Sequence, residues 1–336
     1  MARKRRGLAR TGAAITGGTI VAGSGNDTFT FTGLATSSSI VGGAGDDSVT
    51  FSVALTNNTI RGGAGADTLQ FNTTVSANHI SAGDQGDTLA FSFGVNNNSI
   101  VSGDAGSDVL MFSSTVATAG VYGGSGGDTI TFTGAVSGAT VDFGADSDLA
   151  TFSAAISSGS KIYGGGGADS INGNVGADHL SGGAGNDTFL LDSKAEYTSA
   201  VGSDTIDGGA GVDTVTFTGA NNFSAAQLAT ISNTEKWSIA AGSDFTVSDT
   251  VLNANPGLVF LFGGSGTLSG GEDTAGAALT TVALNYTGTQ AGDMKLIGSS
   301  TDDTFTFNAT ATLTGDDTID GNAGSDTIVL NNNTVL

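Results

Sequence analysis

A turn ending in Asp recurs every 20 residues through the first half of this 336-residue chain, at Asp27, Asp47, Asp67, Asp87, Asp108, Asp128 and Asp148, with one extra residue before Asp108. Few architectures can honour such a period. Four residues after each of these aspartates stands a phenylalanine: Phe31, Phe51, Phe71, Phe91, Phe112, Phe132 and Phe152. Two residues after stand Phe29, Val49, Leu69, Leu89, Leu110 and Ile130, with Ala150 breaking the column. A third column runs Ile20, Ile40, Ile60, Ile80, Ile100, Val121, Val141 and Ile162. A spacing of two puts side chains on one face of a strand. Repetition of that strand sets each coil's Phe against the next, about 4.8 Å away, so that eight coils rise roughly 38 Å. No coil can bury its apolar face alone, so stability must come from stacking. A helical reading fails, because Gly and Thr are abundant and no 3.6-residue apolar stripe appears. The predicted fold is all-β, a right-handed parallel β-solenoid of the β-helix or β-roll kind.

Each coil carries two turns of different chemistry. One is rich in Gly and Asp, as in Gly42-Gly43-Ala44-Gly45-Asp46-Asp47; the other is rich in Asn and Ser, as in Asn57-Asn58, Ala77-Asn78 and Asn96-Asn97-Asn98. Asn tolerates left-handed backbone and bonds along a stack, so the second turn needs no metal. From Gly164 the unit shortens to nine residues, with turns ending in Asp169, Asp178 and Asp187, which places acidic turns on both sides of a coil. The pattern returns at Asp213 and Asp326 and fades between about 218 and 300, where Ser224 to Gln227 has capping-box spacing. The organisation expected is therefore a basic arm (1–15), 20-residue coils (16–163), a nonapeptide β-roll (164–217), an irregular β insertion (218–300) and C-terminal coils (301–336).

Composition narrows the function. Fifty-five Gly would ordinarily signal low complexity, but the fixed apolar columns exclude disorder. The formal charge is −22, and five of the ten basic residues (Arg3, Lys4, Arg5, Arg6 and Arg10) fall in the first ten positions. Such a body repels nucleic acid and anionic membrane, and opposes its own compaction unless cations bind. No apolar run is long enough to span a membrane. The absence of Cys leaves open both the cytosol and an exterior stabilised by metal.

The hexapeptide Gly-Gly-x-Gly-x-Asp followed by x-apolar-x stands at Gly42–Asp47, Gly62–Asp67, Gly123–Asp128, Gly164–Asp169, Gly182–Asp187 and Gly208–Asp213. It resembles the RTX (repeats-in-toxin) family. Ca2+ takes six to eight oxygens from carboxylates and carbonyls; Gly permits the tight turn that points carbonyls inward. Stacked Asp carboxylates about 5 Å apart would repel one another without metal. The candidate metal ligands are Asp27, Asp47, Asp67, Asp87, Asp108, Asp128, Asp148, Asp169, Asp178, Asp187, Asp213 and Asp326. Weaker ligation is expected at Asp87 and Asp148, whose turns replace the central Gly with Gln85 and Asp146, and at Asp108, whose turn was assigned the extra residue.

Other features read blandly. Gly123-Gly124-Ser125-Gly126-Gly127 fits a hydrolase elbow, but it lies inside a repeat turn. His79 and His179 have no nucleophile or metal partner pattern and read as surface residues; Trp237 reads as core. The outward Thr ladder is interrupted by Gln70, Ala90, Val109, Met111 and Leu149, which argues against ice binding. The resemblance implies an extracellular, cell-surface protein without catalysis that self-assembles into a surface layer, sheath or filament. The alternatives are a calcium-rigidified adhesin stalk or the non-catalytic domain of a secreted enzyme. The basic N-terminus is the expected contact for cell-surface polysaccharide or lipopolysaccharide.

Overall fold

The computed structural model describes residues 9–11, 14–157, 159–172, 179–191, 205–219, 222–240, 242–247, 249–255, 258–262, 266–270, 283–286, 294–297, 304–307, 318–321 and 324–330. The chain is a parallel β-solenoid and divides into two compact units, Met1–Leu180 and Ser181–Leu336.

In the first unit each coil is a triangle of strands. The coil that begins at Ser48 is typical: Ser48–Phe51, Leu55–Thr56 and Thr59–Ala64. Each strand pairs in parallel with its counterpart 20 residues on, Phe51 with Phe71, Leu55 with Val75 and Ile60 with Ile80. The alternation of buried and outward positions follows from the two-residue period of the strand. Phe51, Leu55 and Ile60 have no exposed surface, so all three sides contribute to one narrow core. From Phe31 to Phe152 the rings stack nearly face on, with centroids 4.6–5.2 Å apart and planes within 11°. The coil spacing imposes that separation, since strands hydrogen-bond about 4.8 Å apart. Ala9–Thr11, within the stretch expected to be a basic arm, adds as a strand beside Thr28–Thr30, with Arg10 opposite Phe29. Arg3, Lys4, Arg5 and Arg6 lie outside the described residues.

The extra residue does not sit where the spacing between aspartates placed it. Ile80 pairs with Val101 and His79 with Ile100. Val101 is therefore the buried member of the third column, while Ile100 is 38% exposed. The insertion falls in the Asn corner, where Asn97 and Asn98 both adopt left-handed backbone (φ 54° and 59°). Asn pays little for that conformation, so this corner bulges without disturbing the strands.

The second unit keeps a coil after the sequence repeat has lapsed. Thr214–Phe217 pairs with Lys236–Ile239, which pairs with Val259–Phe262. A second parallel sheet runs Ser243–Val247, Gly266–Gly270, Met294–Ile297 and Thr318–Asp320. Ser224 starts a single helical turn, Ala225–Leu228, and its N–H donates to Gln227 Oε1 at 2.9 Å, as the capping-box spacing predicts. Trp237 is fully buried, edge-on to Phe217 and Phe260 at 5.6 Å each. Here tilted and edge-on contacts replace the stacked ladder.

Candidate metal-binding turns

The Gly-Asp turns converge on a column of buried carboxylates. In the first unit the backbone N–H of each Asp donates to Oδ1 of the Asp one coil on. Asp27 donates to Asp47, Asp47 to Asp67, Asp67 to Asp87, Asp87 to Asp108, Asp108 to Asp128 and Asp128 to Asp148, all at 2.6–2.7 Å, and Asp148 to Asp169 at 2.9 Å. The second unit has its own run, Asp187 to Asp213 Oδ1 and Asp213 to Glu235 Oε2, each at 2.7 Å. Asp27, Asp47, Asp67, Asp87, Asp108, Asp128, Asp148, Asp169, Asp187 and Asp213 are each at most 4% exposed.

Only one oxygen of each carboxylate is used in this way. Oδ2 of Asp47, Asp67, Asp87, Asp108, Asp128, Asp148 and Asp213 is buried and accepts no hydrogen bond from the protein. Leaving a charged oxygen buried and unmatched is expensive. The cost appears in the protonation equilibria. Desolvation, reinforced by neighbouring carboxylates in the column, pushes the carboxyls of Asp67, Asp128 and Asp213 up to about 6 and those of Asp87 and Asp148 to about 7, against the lowering effect of the preceding coil's N–H. Asp47, Asp108 and Asp169 are raised by the same burial.

The first Gly of the hexapeptide explains where Oδ2 points. A Cβ at Gly42 would press against Asp47 Oδ2 and lie 2.6 Å from the Gly62 carbonyl oxygen. The same pair, own-turn carboxylate and next-coil carbonyl, surrounds Gly62, Gly103, Gly123, Gly182 and Gly208. An added methyl group would meet both oxygens unless they shifted, so Gly leaves a cradle lined by a carboxylate oxygen and a carbonyl oxygen. This is the donor chemistry a hard divalent cation takes. Among the described residues no three acidic or imidazole side chains converge on one point. An ion held here would draw one carboxylate from each turn and complete its shell with backbone carbonyls. The residues present therefore fit calcium.

Three coils fill the cradle instead. Ala22, Ala82 and Phe143 stand where the first Gly should be, in the turns of Asp27, Asp87 and Asp148. Ala82 and Phe143 are fully buried. Sequence reasoning had looked to the central position, yet there the backbone is kept: Gln85 and Asp146 take the left-handed conformation of the Gly they replace (φ 80° and 77°). The extra residue expected in the turn of Asp108 lies in the Asn corner instead, and Gly103 stands against Asp108 Oδ2 and the Gly123 carbonyl as in the other turns.

The remaining candidates are placed as follows. Asp326 lies on an exposed turn, with Oδ2 against the space a side chain at Gly321 would take, so its own turn has the same closure. Asp178, and with it the expected second acidic edge, lies outside the described residues. His79 is exposed, and His179 is half-buried edge-on to Tyr163 at 6.1 Å.

The opposite corner solves the same problem without charge. Ser38 N–H donates to Asn58 Oδ1 at 3.0 Å and Asn58 N–H to Asn78 Oδ1 at 2.8 Å. The Asn58 and Asn78 amides also donate to the carbonyls of Ala35 and Leu55. An amide supplies donor and acceptor together, so this ladder needs no ion.

The family model described as the RTX calcium-binding nonapeptide repeat (four copies) matches residues 30–51, 55–70, 161–192, 201–223 and 311–333, about a third of the chain. The chain thus carries RTX calcium-binding repeats on a parallel β-solenoid. No curated protein matches the chain.

Proposed function

We propose that this protein is a calcium-dependent structural protein of the cell exterior, folded by the ions its Gly-Asp turns hold and assembling with copies of itself into a surface layer, sheath or filament. The observation that carries the reading is the column of buried carboxylate oxygens that the protein leaves without donors. Asp47, Asp67, Asp108, Asp128, Asp169, Asp187, Asp213 and Asp326 are the ligands in this reading. Asp27, Asp87 and Asp148 belong to turns whose cradle is filled or narrowed, and they bind weakly. Proteins with RTX repeats are typically secreted, and weak all-oxygen sites need the calcium concentration found outside cells. Self-assembly is supported by the strand Thr19–Ser24, which pairs on one side only among the described residues and leaves its own Val21 59% exposed. Such an edge accepts another strand.

Electron microscopy of the purified chain with calcium and after chelation tests the reading. Ordered sheets or fibres that form with calcium and dissolve with chelator support it. A calcium-folded monomer at high concentration overturns self-assembly and favours an adhesin stalk. Circular dichroism unchanged by chelation overturns the calcium-dependent fold itself.

A further inference from the structure

The residue inserted at the Asn corner creates a second feature, on the outside of the coil. Asn98, Ile100, Thr118, Gly120, Tyr122, Gly138 and Thr140 line an open groove of about 380 Å3 in the first unit, with buried Ala119 behind it. That volume lies within the roughly 300–1,000 Å3 of small-molecule sites. Its shape follows from register. Ile100, Gly120 and Thr140 are partners on three successive strands, so Gly120 leaves a gap between two side chains and forms the floor. Tyr122 folds over that floor: a Cβ at Gly120 would meet its ring at 2.8 Å. Tyr122 as a whole is nonetheless 36% exposed, and Ile100 is 38% exposed. Asn98, exposed on the bulge, lines the groove with Thr118 and Thr140; the Thr118 hydroxyl donates to the Ala117 carbonyl at 2.7 Å, which leaves its oxygen able to accept.

The chemistry of the lining selects a ligand. No lining residue is charged, although the chain as a whole carries −22. Asp142, the partner of Tyr122 one strand on, adds negative charge alongside and disfavours anions. What fits is a neutral molecule with one apolar face and hydroxyls around its edge. A pyranose ring has that pattern: axial C–H groups carry partial positive charge and pack on the negative face of an aromatic ring, while equatorial hydroxyls reach amide and hydroxyl partners. We infer that this groove is a binding site for an uncharged sugar, with Tyr122 as the platform and Asn98, Thr118 and Thr140 as the polar contacts. None of the groove's lining residues is a candidate calcium ligand.

Saturation-transfer difference NMR on the calcium-loaded full chain tests it, with glucose, N-acetylglucosamine, maltose and cellobiose as neutral probes and galacturonic acid as the anionic one. Saturation is expected in ring C–H protons of at least one neutral probe and in none of galacturonic acid. Tyr122→Ala should weaken that binding about tenfold or more, the loss typical when an aromatic anchor is truncated. Tyr122→Phe, which keeps the platform, should retain it. Gly120→Ala, which raises the floor into the ring, should also reduce it, with the circular dichroism of both Ala variants unchanged. Absence of saturation for all neutral probes overturns the inference, as does preference for galacturonic acid or binding that survives Tyr122→Ala.

Discussion

The coils of the first unit and those after Asp213 in the second build the same parallel ladder from opposite chemistries. In the first, the acidic corner passes a hydrogen bond from N–H to carboxylate at every coil and leaves the second oxygen of most carboxylates without a donor. In the second, Glu235 accepts the N–H of Asp213, and the neighbouring contacts are neutral. Thr234 donates from N–H and Oγ1 to Asn255 Oδ1, Trp237 Nε1 donates to Thr234 Oγ1 at 2.8 Å, and the Asn255 amide donates to the carbonyls of Ile231 and Val251. A coil can thus be closed by groups that satisfy one another, or by carboxylates that need an outside partner. Only the second kind makes folding respond to calcium.

The sharpest way to break that contrast is to remove the ion. Chelation should abolish amide-exchange protection through the 20-residue coils, while the neutral network around Trp237, the chain's single Trp, loses less. Hydrogen exchange read beside Trp fluorescence checks this, and simultaneous loss at both places would erase the distinction. Acidity should then act in reverse on the metal-free protein. The folded carboxyls of Asp87 and Asp148 sit at about 7 against an ordinary value of 3.8, so the folded state holds more protons across that window. Metal-free stability should therefore be highest at the acid end of the window and fall as pH rises toward 7. With calcium bound the trend should invert, because protons and ions compete for the same oxygens. Urea melts at several pH values, with and without calcium, measure both slopes.

Single substitutions sharpen the comparison further. Gly123→Ala would drive a methyl into Asp128 Oδ2 and the Phe143 carbonyl; it should remove one calcium per chain by calorimetry and cost roughly 1–3 kcal/mol of calcium-bound stability. Ala82→Gly should do the opposite, opening the cradle beside Asp87 and adding one calcium. The smallest effect belongs to the neutral corners. Asn78→Ala leaves the N–H of Asn58 without its acceptor and should cost about 1–2 kcal/mol, equally with and without calcium.

Much of this was legible in the chain. The Phe ladder and the Asp column follow from a spacing that only stacked strands satisfy, and Trp237 was readable as core. Other features were not, for definite physical reasons. The spacing from Asp87 to Asp108 reveals an extra residue but not its place, since strand pairing alone distinguishes Ile100 from Val101 as the buried side chain. The importance of the first Gly was hidden because its function is to leave room for an oxygen of another residue. Persistence of the coil after Phe217 was invisible because a strand such as Lys236–Ile239 is held by the register of its neighbour and by aromatic packing, without any recurring motif.

The bulge at Asn97 and Asn98 has a wider consequence. One corner of each coil keeps phase, since the Asp ladder passes from Asp87 to Asp108 at 2.7 Å across the longer coil as it does elsewhere. The other corner takes up slack. A coil can therefore gain a residue on the Asn side without breaking the ladder on the Asp side. Surface novelty, including the groove at Tyr122, is accordingly free to arise on one flank of the molecule while the other is held fixed.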